Sequence, residues 1–96
     1  MNRFNEIADV VEQGWIQGSL ALNSSRQPID PRSTQAECWC VMGAISKVIN
    51  DEFIQYQGHL RVLSNYVGPI VGWNDMFSQT QENVVATLRK LANEPL

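Results

Sequence analysis

The stretch from Thr34 to Ile49 constrains the fold most, because it is apolar on nearly every side of a predicted helix. Its start has the spacing of a capping box, in which the side chains of Thr34 and Glu37 each accept a hydrogen bond from the other residue's backbone N–H. A broad apolar stripe at helical spacing follows, formed by Cys38, Val41, Met42, Ile45, Val48 and Ile49. The sequence therefore predicts a helix over 34–49 around which the rest of the chain packs.

The opposite face of this predicted helix carries small residues rather than charged ones. It contains Ala36, Cys40, Gly43 and Ala44, with Trp39 beside them. A glycine inside a helix costs up to about 1 kcal/mol relative to alanine, so its presence needs a structural reason. We expect another backbone or a large ring to pack closely against Gly43, and we assign structural roles to Trp39, Cys40 and Gly43.

One further helix is predicted on each side of the central one. The first covers residues 3–13, with Asn2 as its N-cap and Gly14 directly after its end. After the central helix, a second apolar stripe at helical spacing runs over residues 53–67. Gly58 interrupts that stripe, which leaves open a later start for this helix.

The last helix is predicted to begin after Thr80, a residue type that is favoured as an N-cap. Its inward-facing residues are Val84, Val85, Leu88, Leu91 and Ala92. Four helices in a chain of 96 residues predict a mainly α fold: a small four-helix bundle that forms a single domain over residues 1–96.

Two loops are predicted to be structured. Residues 17–33 contain two prolines and an Asn-Ser-Ser cluster, which break a helix, and a short hairpin that turns at Asn23 to Arg26 is compatible with them. Residues 68–79 begin with Gly-Pro and contain Trp73-Asn74-Asp75. We expect the first loop to be packed down by its own apolar anchors.

Composition excludes several classes of function. The net charge is −3 and the basic residues are scattered, whereas a dedicated nucleic-acid-binding protein usually has a basic face. No apolar run is long enough to span a bilayer, and the N-terminal residues lack the apolar segment of a signal peptide. With only two cysteines, the chain is expected to be a reduced, cytoplasmic protein without membrane contact.

Neither cysteine completes a recognisable site. On the predicted helix, Cys38 and Cys40 would point about 200° apart and could not form a disulfide with each other. A single histidine and no further cysteine leave a zinc site without four ligands, so no metal or cofactor is expected.

The sharpest enzyme hypothesis is a cysteine hydrolase. Cys40 would be the nucleophile, His59 the base, and Asp75 or Asn74 the residue that orients it. The predicted helix places Cys40 more than a turn from its N-terminus, where the helix dipole does little to activate a thiol, and His59 lies in a polar run expected at the surface. We therefore favour a small buried thiol and assign no catalytic residue.

The segment Trp73-Asn74-Asp75 has a structural and a functional interpretation. In the favoured structural one, Trp73 fills the core while the two polar side chains accept hydrogen bonds from loop N–H groups. In the functional one, this polar pair is exposed and recognises a partner. Trp15, Trp39 and Trp73 are expected in the core, but an exposed one beside Phe77 or Tyr66 would mark a binding patch.

Three motifs together resemble a family of short proteins and domains of unknown function from phages and bacteria, notably actinobacteria. The motifs are Gly14-Trp15-x-x-Gly18, then Cys40-x-x-Gly43-Ala44-Ile45, then Trp73-Asn74-Asp75 followed by a capped helix. The resemblance covers nearly the whole chain. Family members often carry glutamate at the third position of the last helix, where this chain has Asn83. The resemblance implies a common fold and a phage or bacterial origin, but it transfers no catalytic role.

The sequence thus leads to three functional hypotheses. The first is a small non-enzymatic module that binds a host or phage protein, as an inhibitor or modulator, through Trp73, Asn74, Asp75, Phe77 and Tyr66. The second is the cysteine hydrolase built on Cys40, His59 and Asp75. The third is a homo-oligomeric structural module.

Overall fold

The computed structural model describes residues 2–94, which contain five helices and two short strands. The elements are α1 (Phe4–Gln13), β1 (Ala21–Leu22), β2 (Cys38–Trp39), α2 (Val41–Val48), α3 (Phe53–Val67), α4 (Ile70–Asn74) and α5 (Gln81–Ala92). The predicted mainly α fold is confirmed, whereas the finer prediction of a four-helix bundle with two loops is not. A two-stranded sheet and the short helix α4 replace parts of the predicted central helix and loops.

Helices α1 and α5 pack against each other and agree with the sequence prediction. The buried face of α1 consists of Phe4, Ile7, Ala8, Val10 and Val11, and that of α5 of Val84, Leu88 and Leu91. Arg89 of α5 also donates hydrogen bonds to Asn5 and Asp9 of α1 at 3.0 and 2.8 Å, and to Glu12. Exposed ion pairs of this kind add little stability, so apolar burial holds the two helices together.

The predicted N-terminus of the central helix is wrong. Helix α2 begins at Val41, and the preceding residues are extended because their backbone groups pair with two distant segments. The N–H of Trp39 donates to the carbonyl of Gly14 at 2.9 Å, and that of Cys40 donates to the carbonyl of Leu20 at 3.1 Å. These bonds satisfy the backbone before α2 without a helix, and Thr34 therefore caps no helix.

The predicted hairpin turn is confirmed. Leu22 forms antiparallel bridges with Cys38 on one side and with Pro28 on the other, so the chain reverses between 23 and 27. Asn23 closes the turn: its N–H donates to the carbonyl of Gln27 at 3.0 Å, and its side-chain oxygen accepts the N–H groups of Ser25 and Gln27. The turn is thus built from the polar cluster that breaks the helical pattern.

Two other differences concern the second half of the chain. Helix α3 starts at Phe53 and continues through Gly58, because a glycine inside a helix lowers its stability without preventing it. Within the predicted loop 68–79, residues 70–74 form helix α4, which starts directly after Pro69. Proline is well tolerated at the start of a helix, where its missing N–H has no helical acceptor.

Close packing at Gly43 is confirmed. A Cβ atom placed on Gly43 would lie 2.0 Å from the carbonyl oxygen of Leu20, so only glycine permits the loop before β1 to lie on α2. One hydrophobic core joins α1, α2, α3, α5 and β2. None of the helices in residues 2–94 has the length and apolar character needed to cross a membrane.

Candidate functional site

Asn74, the last residue of α4, connects three segments of the chain. It is only 1% exposed, and its side-chain oxygen accepts the indole N–H of Trp15 at 2.9 Å and the N–H of Val41 at 3.0 Å. Its amide nitrogen donates to the carbonyl of Ile16 at 3.1 Å and to a carboxylate oxygen of Asp75 at 2.9 Å. An asparagine side chain has two donors and two acceptor positions, so every one of them is used.

The neighbouring polar side chains extend this connection to the loop after α1. The carboxylate of Asp75 accepts the N–H of Gly18 at 3.1 Å. In the other direction, the side-chain amide of Gln17 donates to the carbonyls of Asn74 and Met76 at 3.1 and 2.8 Å. Residues 15–18 and the end of α4 are thereby held together by hydrogen bonds from both sides.

Residues 75–80, which we call the Phe77 loop, are also fixed at their far end. Gln79 is buried, and its amide nitrogen donates to the carbonyl of Trp73 at 2.8 Å. The hydroxyl of Thr80 accepts the N–H of Asn83 at 3.1 Å, so Thr80 is the N-cap of α5 as predicted. The loop thus begins and ends at hydrogen-bonded residues, and it also has an internal bond from the Gln79 N–H to the Met76 carbonyl.

Asn83, in the first turn of α5, is also bonded to this loop. The side-chain amide of Asn83 donates to the side-chain oxygen of Gln79 at 2.6 Å, and that oxygen also accepts the N–H of Thr80 at 3.2 Å. The Gln79 side chain therefore joins the loop to the start of α5 from both its ends.

Phe77 itself projects fully into solvent at the middle of the loop. Val71 of α4 and Leu20 are about half exposed and line a cavity of about 230 Å³ together with Asp75 and Cys40. Met76, which is 45% exposed, directly precedes Phe77 in the chain. The end of α4 and the Phe77 loop therefore present several apolar side chains to solvent.

The five predicted binding residues are not all on this surface. Asn74 is buried, Trp73 is half-buried and packs against the core, and Asp75 and Phe77 are exposed. Tyr66 lies on α3, where the Lys90 ammonium is 5.2 Å from the centre of its ring. Tyr66 is thus about half exposed, beside a side chain of α5 and outside the Phe77 loop.

Sequence reasoning missed Val71 and Met76 as exposed apolar residues of this surface. Both lie in residues 68–79, which were predicted to be a loop, so no helical spacing could be used to predict which side chains face solvent. Their apolar side chains inside a segment rich in glycine and polar residues were the only signal.

Cys40 lies at the N-cap of α2 and not inside a helix, which corrects its predicted position. Its sulfur accepts the N–H of Gly43 at 3.4 Å. Burial nevertheless raises the pKa of the Cys40 thiol, because the loss of solvation outweighs the backbone hydrogen bonds that favour the thiolate. The thiol is therefore protonated at neutral pH, whereas a catalytic cysteine needs an accessible thiolate.

His59 is buried, which contradicts its predicted surface position. Its Nε2 accepts the N–H of Arg3 at 3.0 Å, and its Nδ1 lies 2.7 Å from the carbonyl of Gln55, to which it donates in the matching neutral tautomer. Its ring centre is 4.8 Å from that of Phe4. Since one ring nitrogen is bonded to the backbone of Arg3, directly before α1, and the other to that of Gln55 in α3, the pairing of His59 with Cys40 that the hydrolase hypothesis requires is not formed.

The remaining titratable side chains offer no metal centre in the part of the chain described. Cys38 and Cys40 are both buried free thiols, Cys38 in β2 and Cys40 directly after it. Across residues 2–94, histidine, cysteine and acidic side chains do not gather in threes as metal ligands would.

Comparison with known proteins identifies the family but no activity. No curated protein and no solved structure matches the chain. A family model described as a family of unknown function, DUF6197, matches residues 3–94. That match includes every element described above, and the chain therefore belongs to the DUF6197 family.

Proposed function

We propose that this protein is a small non-enzymatic module that binds another protein through the Phe77 loop and the adjoining end of α4. The observation that carries this proposal is the position of Phe77, which is fully exposed in a loop anchored by hydrogen bonds at both ends. Phenylalanine is one of the residue types that are enriched in the cores of protein interfaces.

The rigid attachment of the loop matters because binding carries an entropic cost. Ordering a flexible loop on binding lowers affinity, whereas a loop that is already ordered avoids that loss. Burying a phenylalanine side chain contributes about 1.5 to 3 kcal/mol, none of which Phe77 provides to the folded chain by itself. The loop is thus held in one conformation while its largest apolar side chain remains available to a partner.

The residues of the Trp73-Asn74-Asp75 segment have different roles in this proposal. Asn74 cannot touch a partner, because it is buried and fully hydrogen-bonded within the chain. Trp73 supports the loop from the core side. Asp75 is exposed at the edge of the cavity that Val71 lines, so it is available as a polar contact at the rim of the interface.

The identity of the partner is proposed from the family resemblance alone. A phage or bacterial origin makes a host or phage protein the natural partner, with inhibition or modulation of that protein as the outcome. The acidic net charge argues against nucleic acid as the direct ligand.

The test is an affinity pull-down from a lysate of the native host, with and without nuclease, read by mass spectrometry. The bait is the tagged full chain as wild type, as Phe77→Ser and as Ile54→Ser. Ile54 is 85% exposed on α3 and serves as the matched control, because its replacement also removes a large apolar side chain from the surface. We expect one stoichiometric protein that survives nuclease, is retained by Ile54→Ser and is lost with Phe77→Ser.

Retention of the same protein by Phe77→Ser would contradict the proposed surface. If nothing is captured above background, the two other functional classes become testable in turn. A hydrolase requires rapid alkylation of Cys40 in the folded protein, and a structural homo-oligomer requires a mass in solution that rises with concentration.

A further inference from the structure

A second apolar surface forms a groove between the α2–α3 junction and residues 29–32. We call it the α2–α3 groove, and its volume is about 670 Å³. Apolar side chains from four parts of the chain line it, namely Leu20, Ile29, Ile49, Phe53 and Tyr56. A groove of this volume is within the range of sites that hold small ligands or peptide side chains.

Phe53 is a large apolar side chain that remains mostly exposed instead of packing into the core. Phe53 is the first residue of α3 and remains 73% exposed beside the groove, and Leu20 on the other side is 50% exposed. Covering both side chains would remove apolar area from water, which favours binding. The groove therefore has the apolar floor and the aromatic rim of a docking site for a peptide segment.

Charges at the rim indicate which segment would fit. The groove is lined by Asp30, Arg32, Asp51 and Glu52. Arg32 is already engaged with Asp30, with 3.3 Å between the guanidinium Nε and the carboxylate, so these two charges offset each other. With Asp51 and Glu52, the lining carries three carboxylates and one guanidinium, a net charge of −2. Asp51 lies close enough to Arg32, and Glu52 to Arg3, to help raise the pKa of each guanidinium, and the Glu52 carboxylate also accepts a hydrogen bond from the neutral amide of Gln55.

We infer that the α2–α3 groove binds an amphipathic, basic segment of another protein. Apolar side chains of that segment would cover Phe53 and Leu20, and its lysine or arginine side chains would pair with Asp51 and Glu52. Electrostatic complementarity of this kind selects the partner and speeds association. None of the residues that line the groove belongs to the Phe77 loop, and Leu20 is the residue that the groove shares with the cavity beside Val71.

The test uses a displayed library of random peptides, about twelve residues long, selected against the full-length protein. Enriched peptides are then synthesised, and their dissociation constants are measured by fluorescence anisotropy at low and high salt. The variants are Phe53→Ser and the double variant Asp51→Asn with Glu52→Gln. Asn is used at Asp51 because this residue has a φ of 64°, a left-handed conformation that asparagine tolerates.

The matched control is Ile54→Ser, which alters a neighbour that is even more exposed than Phe53 and does not line the groove. We expect enriched peptides to combine aromatic or aliphatic residues with lysine or arginine. We expect Phe53→Ser to weaken binding about tenfold or more, Ile54→Ser to change it less than about twofold, and the double variant to reduce its salt dependence.

Several results would overturn the inference. Enrichment of acidic peptides would contradict the charge argument, and equal losses with Phe53→Ser and Ile54→Ser would contradict the location. No enrichment at all would mean that the groove does not recognise peptide segments. A mass that doubles with concentration for the wild type but not for Phe53→Ser would identify a second copy of the chain as the occupant instead.

Discussion

At the scale of single residues, Asn74 makes the contacts on which the site depends. Only asparagine combines two donors and two acceptor positions on so short a side chain. Aspartate would lose the donors to the carbonyl of Ile16 and to Asp75, and the added charge would be buried. The side chain thus serves groups from three segments that are far apart in sequence.

Replacement of Asn74 by alanine is expected to lower the free energy of unfolding by about 3 kcal/mol or more. It would leave the indole N–H of Trp15, the N–H of Val41 and the carbonyl of Ile16 without their partner, and each such loss costs about 1 to 3 kcal/mol. Urea unfolding followed by fluorescence measures the change. Asn65→Ala, at an exposed position of α3, is the control and should stay within about 0.5 kcal/mol. Equal effects of the two replacements would refute the role of Asn74.

Cys40 gives a prediction about pH. Because burial raises the pKa of its thiol in the folded protein, the unfolded chain loses this proton at a lower pH than the folded chain does. Above the ordinary cysteine pKa of about 8.5, stability should therefore fall as pH rises, by at most about 1.4 kcal/mol per pH unit from this group. Serine at position 40 removes the titration and can still accept the N–H of Gly43.

The measurement is the difference in unfolding free energy between wild type and Cys40→Ser, taken at pH 7 and again near pH 9.5. This comparison cancels the titration of all other groups. We expect the wild type to lose stability relative to the variant as pH rises. A difference that does not change with pH would show that the thiol ionises equally in both states.

At the scale of elements, the start of α2 differs from the prediction because long-range strand pairing replaces the helix that the local sequence pattern favours. The apolar stripe and the Thr34–Glu37 spacing predict a helix from residue 34, and from Val41 onward the helix does form. Before that point, strand pairing with residues 14–22 supplies the backbone with hydrogen bonds. A single sequence window contains no information about such partners, whereas Gly43 signalled the close approach correctly because a helix rarely carries a glycine without a packing reason.

Replacing a helical glycine by alanine is predicted to have opposite effects on stability at Gly43 and at Gly58. Gly43→Ala should lower the free energy of unfolding by about 2 to 3 kcal/mol, because the new Cβ would lie 2.0 Å from the Leu20 carbonyl oxygen and that backbone would have to move. Gly58→Ala meets nothing within 4 Å and should raise the free energy of unfolding by up to about 1 kcal/mol through helix propensity. Thermal and urea unfolding of both variants tests the pair. Similar shifts for the two would contradict the close packing of the loop on α2.

At the scale of the whole molecule, the features that local patterns encode were predictable. The helices α1 and α5, the turn near Asn23 and the Thr80 cap each depend on residues within a few positions of one another. The hydrogen bonds of Asn74 reach residues that lie 33, 58 and 59 positions away in the sequence. Neither the hydrophobic periodicity nor the composition can predict contacts over such separations. The burial of His59 was missed for the same reason, since its partner Arg3 lies 56 positions away.

We predict that the folded chain holds the Phe77 loop in one conformation while Phe77 stays in solvent. The most direct test is ¹⁵N NMR relaxation of the backbone amides of residues 76–80, with α5 of the same sample as the rigid reference. We predict order parameters near 0.85 for these amides, similar to those of the helix. Values below about 0.6 would mean that the loop moves freely on this timescale, and they would contradict the proposal that it is an ordered binding surface.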